Sequence, residues 1–333
     1  MKNLIEKSLH KFYYLVTASY RQRNTVLIPV LILILSIVIL YFGAEFSLEG
    51  SEKVGLKLGM SPLAIGMLLV GFGTSLPEFF VGHIAAARGE IGIALGSLIG
   101  SNIANMLLIL GICGLFTKIP SGGKPMRNQF IVHFALGFTL WFVLSQSKLD
   151  ILSASPLIGI CFVYLFMLYR DFRNEPPIEA NQDIGNIPKL VIKMMAGFGM
   201  LYLGGELLVK SGTDLGLMMG IDSYIISAIF IAFGTSFPEL VTSLIACFKK
   251  KDTELILGNI VGSNLFNCAF ILGSLGIYEY PLEGGFHYEL VALIGGAGFL
   301  VLVSLLGRSF YRASAIFFLG GYAFMVGHWV KIF

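Results

Sequence analysis

The sequence predicts an all-α membrane protein with about ten transmembrane helices in two inverted-topology five-helix repeats. Three observations carry that prediction. The 333 residues are 56% hydrophobic and 13% charged, with a mean hydropathy of +0.82, whereas charged residues approach a quarter of a soluble domain. Apolar runs long enough to span a bilayer recur from Thr25 to Phe333. The chain also repeats itself. Gly71-Phe72-Gly73-Thr74-Ser75-Leu76-Pro77-Glu78 returns 161 residues later as Ala232-Phe233-Gly234-Thr235-Ser236-Phe237-Pro238-Glu239, with six of eight positions identical.

Residues 1–24 form an amphipathic N-terminal arm mixing Leu4, Leu9, Phe12 and Val16 with Lys2, Lys7, Lys11, Arg21 and Arg23. That pattern suits a helix at the interface and lacks the small-residue cleavage site of a signal peptide. The first transmembrane repeat occupies 25–170, with spans expected at 25–47, 62–87, 91–117, 129–147 and 151–169. A cytoplasmic linker, 171–187, holds Pro176 and Pro177 and is too short for a regulatory domain. The second repeat, 188–333, has spans expected at 188–210, 221–248, 253–277, 286–306 and 311–331.

Loops 1–2, 3–4, 5–6, 7–8 and 9–10, with their flanks, carry 14 Lys and Arg. The opposite face carries Arg88, Lys148, Lys210 and Lys331, plus five basic residues of the arm, which point the other way. The loop bias puts the first set in the cytoplasm and both termini outside. Lys249-Lys250-Lys251 reads as part of that topology signal, and Asp252-Thr253 as a helix cap. Cys113, Cys161, Cys247 and Cys268 have neither metal nor disulfide spacing and read as packing residues.

The repeat extends beyond the octapeptide. At an offset of 161, Gly43, Glu45, Gly55 and Gly59 fall on Gly204, Glu206, Gly216 and Gly220. At 162, Gly96-x-x-x-Gly100-Ser101-Asn102-x-x-Asn105 falls on Gly258-x-x-x-Gly262-Ser263-Asn264-x-x-Asn267. Five spans is an odd number, so the second half starts from the opposite side, which is a transporter plan with its site near the midplane.

Chemistry concentrates in these motifs. A charged side chain at bilayer depth costs roughly 2.5–3.5 kcal/mol on insertion scales, so Glu78 and Glu239 need a function. Pro77 and Pro238 lack an N–H and free carbonyls near Gly73 and Gly234. Carbonyls, hydroxyls and carboxylates are the hard oxygen donors that Na⁺ and Ca²⁺ prefer. Thr74 shares a helix face with Glu78, Ser101 with Asn105, Thr235 with Glu239 and Ser263 with Asn267. Ser97, Asn102 and Asn264 read equally well as polar helix-packing residues. His83, opposite Leu244 in the repeat, reads as a packing histidine, and Glu45 and Glu206 as solvated residues near span ends.

With two copies of G-T-S-x-P-E, each followed by G-S-N-x-x-N, the chain resembles the Ca²⁺:cation antiporter superfamily. Within it, the resemblance is to compact prokaryotic members of the sodium/calcium exchanger family. The resemblance implies that Glu78 and Glu239 are central Ca²⁺ and Na⁺ ligands, completed by Asn105 and Asn267. It groups Thr74, Ser75 and Ser101 with the carbonyl of Gly71 around one flanking Na⁺ site. Thr235, Ser236 and Ser263, with the carbonyl of Ala232, form the other. It also implies sliding of spans 1 and 6 and a place in a prokaryotic plasma (inner) membrane. Asn267 stands where K⁺-dependent relatives have Asp, so this cage holds two carboxylates.

The expected function is therefore Na⁺/Ca²⁺ antiport by alternating access, without K⁺. The alternatives are Ca²⁺/H⁺ antiport on the same fold and, from a different class, a passive cation channel. No hydrolase constellation stands out, so no enzyme activity and no cofactor are expected. The expected partners are the two ions and the lipid bilayer, with no nucleic acid and no obligatory protein.

Overall fold

The computed structural model describes residues 26–120, 123–174, 186–219, 236–249, 251–282 and 285–330. The amphipathic arm, most of the linker, and the segment holding Ala232 and Thr235 lie outside them. The structure is that of an all-α membrane protein. Six of its described helices are long and apolar enough to cross a bilayer, or seven if one bent pair counts as a single span.

Helix α1, Leu27–Lys57, runs ten residues past the expected end at 47. Its charged last turns are held by ion pairs, one within the helix and three to partners distant in sequence. Glu49 pairs with Lys53 at 2.7 Å and with Lys193 at 2.5 Å, Glu45 pairs with Lys249 at 2.6 Å, and Glu52 pairs with Lys251. Glu45 is thus an ion-paired residue inside a helix, and Lys249 and Lys251 tie loop to helix besides any topological role.

The bent pair follows. Helix α2, Pro62–Thr74, is capped by Ser61, whose hydroxyl accepts the Ala64 N–H at 3.4 Å. It contains a π turn at Gly66–Val70 and breaks by 42° into α3, Leu76–Ala87. Helix α4, Ile91–Phe116, has a π turn at Ala104–Ile109, and α5, Lys124–Leu144, and α6, Ile151–Asn174, complete the first half.

In the second half, α7, Ile187–Met218, starts at an Asn186 cap and α8, Phe237–Phe248, follows the undescribed segment. Helix α9, Thr253–Tyr278, begins at the expected Asp252 cap, whose carboxylate accepts the Glu254 N–H at 2.9 Å, and has its π turn at Phe266–Ile271. Helices α10, His287–Leu305, and α11, Arg312–Trp329, end the chain.

Helices α1 and α7 lie antiparallel at glycine contacts. A methyl group on Gly43 would stand 2.8 Å from the Leu201 amide nitrogen, and one on Gly197 would stand 2.3 Å from that of Ser47. Only glycine permits that approach. Helix α2 packs as closely on α9, where a Cβ on Gly66 would meet Leu255 O at 2.4 Å. Burial separates an inner layer from an outer one: 94% of the α9 apolar window is buried, against 28% for α1. The site motifs ride on the inner layer.

Two short antiparallel strand pairs clip the halves together. β1, Ile119–Pro120, pairs with β4, Ser309–Phe310, and β2, Lys148–Leu149, pairs with β3, Tyr280–Pro281. Adding or subtracting 161 converts the pair Ile119↔Phe310 into Tyr280↔Leu149. The two clips are therefore equivalent under the repeat, with the halves exchanging roles.

Candidate functional site

The first octapeptide changes direction at Ser75, with φ −82° and ψ 2°, and Ser236, with φ −85° and ψ 1°, takes the same conformation at the start of α8. The proline stands in the first turn of α3 and of α8, where its missing N–H falls among donors that have no intrahelical acceptor. Glu78 and Glu239 sit in those same first turns, at helix N-termini whose dipole favours the ionised carboxylate. Both glutamates are fully buried and lie within electrostatic reach of one another.

Ser101 is the hub. Its hydroxyl donates to Glu78 Oε1 at 3.0 Å, and accepts from Ser236 Oγ at 2.8 Å and from Asn267 Nδ2 at 3.3 Å. One donor and two acceptor positions are all that a hydroxyl has. A second group forms around Thr74, whose Oγ1 stands 3.3 Å from Gly71 O, 3.3 Å from Asn259 Oδ1 and 3.2 Å from Ser263 Oγ. Ser263 Oγ also donates to Gly71 O at 3.2 Å.

Among the described residues the hydrogen bonds run across the grouping implied by the resemblance. Ser101 assorts with Ser236 of the other half, and Ser263 with Thr74 and Gly71. The reason is the close crossing of α2 over α9 at Gly71, where an added Cβ would lie 2.9 Å from the Ser263 nitrogen. Ser75 is buried on the same side, within reach of Glu239.

Asn105 and Asn267 each stand in a π turn, and each main-chain carbonyl accepts an N–H five residues on, from Leu110 and Leu272. Such turns recur at functional sites because they displace the following carbonyls. Among the described residues, several buried polar atoms here have no hydrogen-bond partner: Ser75 Oγ, both Asn105 amide atoms, Asn267 Oδ1 and both Glu239 oxygens. Leaving such groups unsatisfied costs about 1–3 kcal/mol each, more when charged. A buried cluster of hydroxyl, amide and carboxylate oxygens is chemically suited to a hard cation as cargo.

Sequence reasoning did not single out Asn259. It is 2% exposed and donates to Ser243 Oγ at 3.0 Å beside Thr74. Its signal was available, since the 162 offset places it on Ser97. His83 is a packing histidine as expected, its ring nitrogens 3.2 Å from Tyr278 Oη and 3.0 Å from Ser274 Oγ.

The sequence profile described as "Sodium/calcium exchanger protein" matches residues 28–170 and 189–330. The chain belongs to the sodium/calcium exchanger family. As a member it is an integral membrane protein and a cation antiporter. Its relatives include the uncharacterized membrane protein MJ0091 of Methanocaldococcus jannaschii, 31% identical over 85% of this chain and 90% of that one. The sodium/calcium exchanger MaX1 of Methanosarcina acetivorans is 27% identical over 76% of this chain and 83% of its own. Human sodium/potassium/calcium exchanger 3 is 32% identical over 34% of this chain and 18% of its own. Among solved structures, the sodium-calcium exchanger NCX_Mj soaked with Na⁺ and Sr²⁺ superposes with a TM-score of 0.78 at 26% identity. That match covers 91% of this chain and 99% of the other.

Proposed function

We propose that this family member exchanges Na⁺ for Ca²⁺ by alternating access, on one oxygen cage made by two inverted five-helix repeats, 25–170 and 188–333. The supporting observation is the junction at Ser101, where Glu78 of one half meets Ser236 and Asn267 of the other inside the protein. In this reading Glu78, Glu239, Asn105 and Asn267 hold Ca²⁺ centrally. Gly71 O, Thr74, Ser75 and Ser263 line one Na⁺ position; Ser101 and Ser236, with Thr235 and the carbonyl of Ala232, line the other.

Two carboxylates balance one Ca²⁺, and the same two groups can carry protons, so Ca²⁺/H⁺ exchange is the second reading. Radiolabelled Ca²⁺ uptake into proteoliposomes decides between them. Uptake driven by an outward Na⁺ gradient at equal pH on both sides supports the first reading. Uptake driven by a pH gradient alone, with Na⁺ absent, supports the second.

The proposed orientation places the β1–β4 clip and the Lys249 end of α8 in the cytoplasm, with both termini outside the plasma membrane. Lys124 is exposed beside β1. A Lys124→Cys variant lacking native cysteines resists impermeant thiol reagents on intact cells if this orientation holds, and ready labelling from outside inverts it.

A further inference from the structure

Behind the cage lies a second buried polar cluster that the exchange chemistry does not use. Asn264 Nδ2 donates to Asn102 O at 3.2 Å and faces His133 Nε2 at 3.5 Å. Asn102 Nδ2 donates to Cys268 Sγ. Gln129 stands one turn before His133 on α5 and shares its face. All four polar residues are at most 7% exposed. Among the described residues, Asn102 Oδ1, Asn264 Oδ1, His133 Nδ1 and both Gln129 amide atoms have no hydrogen-bond partner. The cluster has no second copy under the repeat, since Gln129 and His133 fall on Leu290 and Ile294.

We propose that His133 is a positioning residue for the cation cage and its proton-sensitive member. The inference rests on the exchange reading above. Asn264 follows Ser263, and Asn102 follows Ser101, so the Asn264–Asn102 bond joins the two hydroxyl-bearing motifs back to back. In the tautomer that carries its ring proton on Nδ1, His133 Nε2 accepts the Asn264 amide N–H. Protonating the ring sets N–H against N–H. The Asn264 amide then has to rotate, presenting its carbonyl to His133 and releasing Asn102. That loosens the Ser101 and Ser263 backbones without altering the number of ligands.

The elements packed on α5 are α6, α9 with its π turn, α10 and β2. Their buried titratable groups are Cys161 and Tyr164 of α6, Cys268 of the π turn, and Glu289 of α10, which accepts the Trp329 indole N–H at 2.7 Å. Lys148 of β2 is paired with Asp150. Among the described residues no charged side chain acts on His133, so its own ring is the group that changes charge in this cluster.

The test is Na⁺-driven Ca²⁺ flux in proteoliposomes, with maximal rate and apparent Ca²⁺ affinity measured separately between about pH 7 and about pH 4. Cage carboxylates compete with protons for cation, so their titration raises the Ca²⁺ concentration needed and is overcome at saturation. His133 lowers the maximal rate even at saturating Ca²⁺, by about twofold at the acid end of that range. His133→Gln keeps an acceptor and abolishes titration, so its maximal rate stays near wild type and becomes flat with pH. His133→Leu removes the acceptor, and its rate falls at neutral pH by about tenfold, the worth of one buried bond. A wild-type maximal rate that is flat with pH overturns the proposal, as does a His133→Gln profile matching wild type. If His133→Leu fails to insert, those two profiles still decide. Wild-type protein with no Na⁺-coupled flux would instead sink the exchange reading.

Discussion

The two halves differ least at the cage and most around it. The backbone angles at Ser75 and Ser236 agree within a few degrees, and the π turns at Asn105 and Asn267 begin one residue after matching helix positions. Yet Glu78 accepts the Ser101 hydroxyl of its own half at 3.0 Å, whereas the hydroxyls within reach of Glu239, Thr74 and Ser75, come from the other half. Outside the motifs the strand clips still correspond but several side chains do not: His83 falls on Leu244, His133 falls on Ile294, and the Lys249 and Lys251 ion pairs have Arg88 and Glu90 opposite them in the repeat. On the proposed mechanism, equivalence is kept where a cation would meet the same donors from either side. Difference accumulates where the protein holds one arrangement against another.

The largest effects should come from testing that equivalence directly. Glu78→Gln and Glu239→Gln each leave a divalent ion with a single carboxylate in a poorly screened interior. Na⁺-driven Ca²⁺ flux should fall below detection in both, with insertion intact. Near-normal flux in either would break the symmetry of roles.

Next come the two hub hydroxyls. Ser101→Ala removes a donor to a charged carboxylate, worth about 1.5–3 kcal/mol, whereas Ser263→Ala removes a bond to a neutral carbonyl, worth about 0.5–1.5 kcal/mol. Apparent cation affinity from concentration series should drop about tenfold or more for Ser101→Ala and a few-fold for Ser263→Ala. The reverse order would mean that Ser263 is the true hub.

A smaller contrast concerns K⁺. If, as proposed, two carboxylates already balance Ca²⁺, replacing K⁺ by choline on both sides at matched membrane potential should leave flux unchanged. Asn267→Asp adds a third carboxylate, and flux should then rise with K⁺. K⁺ dependence in the wild type would point to a K⁺ ligand outside this cage.

The smallest effect belongs to the outer ion pairs. Lys249→Gln and Lys251→Gln remove partly exposed partners of Glu45 and Glu52, so each should lower thermal stability by no more than about 1 kcal/mol. Unfolding curves in detergent would read it.

What could be read from the sequence follows the same division. Glu78, Glu239, Asn105 and Asn267 stand out because every one has a counterpart at a fixed offset, and both the octapeptide break and the Asp252 cap have local causes. The crossing of Ser101 to Ser236 was not legible, because only helix packing decides which hydroxyl of an inverted pair reaches which partner. The last ten residues of α1 were hidden by their charges, which look like a loop until Lys193, Lys249 and Lys251 arrive from elsewhere. His133 and Gln129 have no repeated counterpart, so the periodicity that exposed the cage was silent about them.

The strand clips also bear on synthesis. Each joins a segment of the first half to one of the second, so β1 and β2 leave the ribosome with their partners still unmade. Residues 280–281 are translated before 309–310, so β2 is paired first and β1 waits for the last loop before the final helix. One rim of the bundle thus closes while the other still has an unpaired edge. In that interval the nascent chain exposes a strand edge at one membrane face, a natural place for a chaperone to hold it or for a second nascent copy to pair with it wrongly.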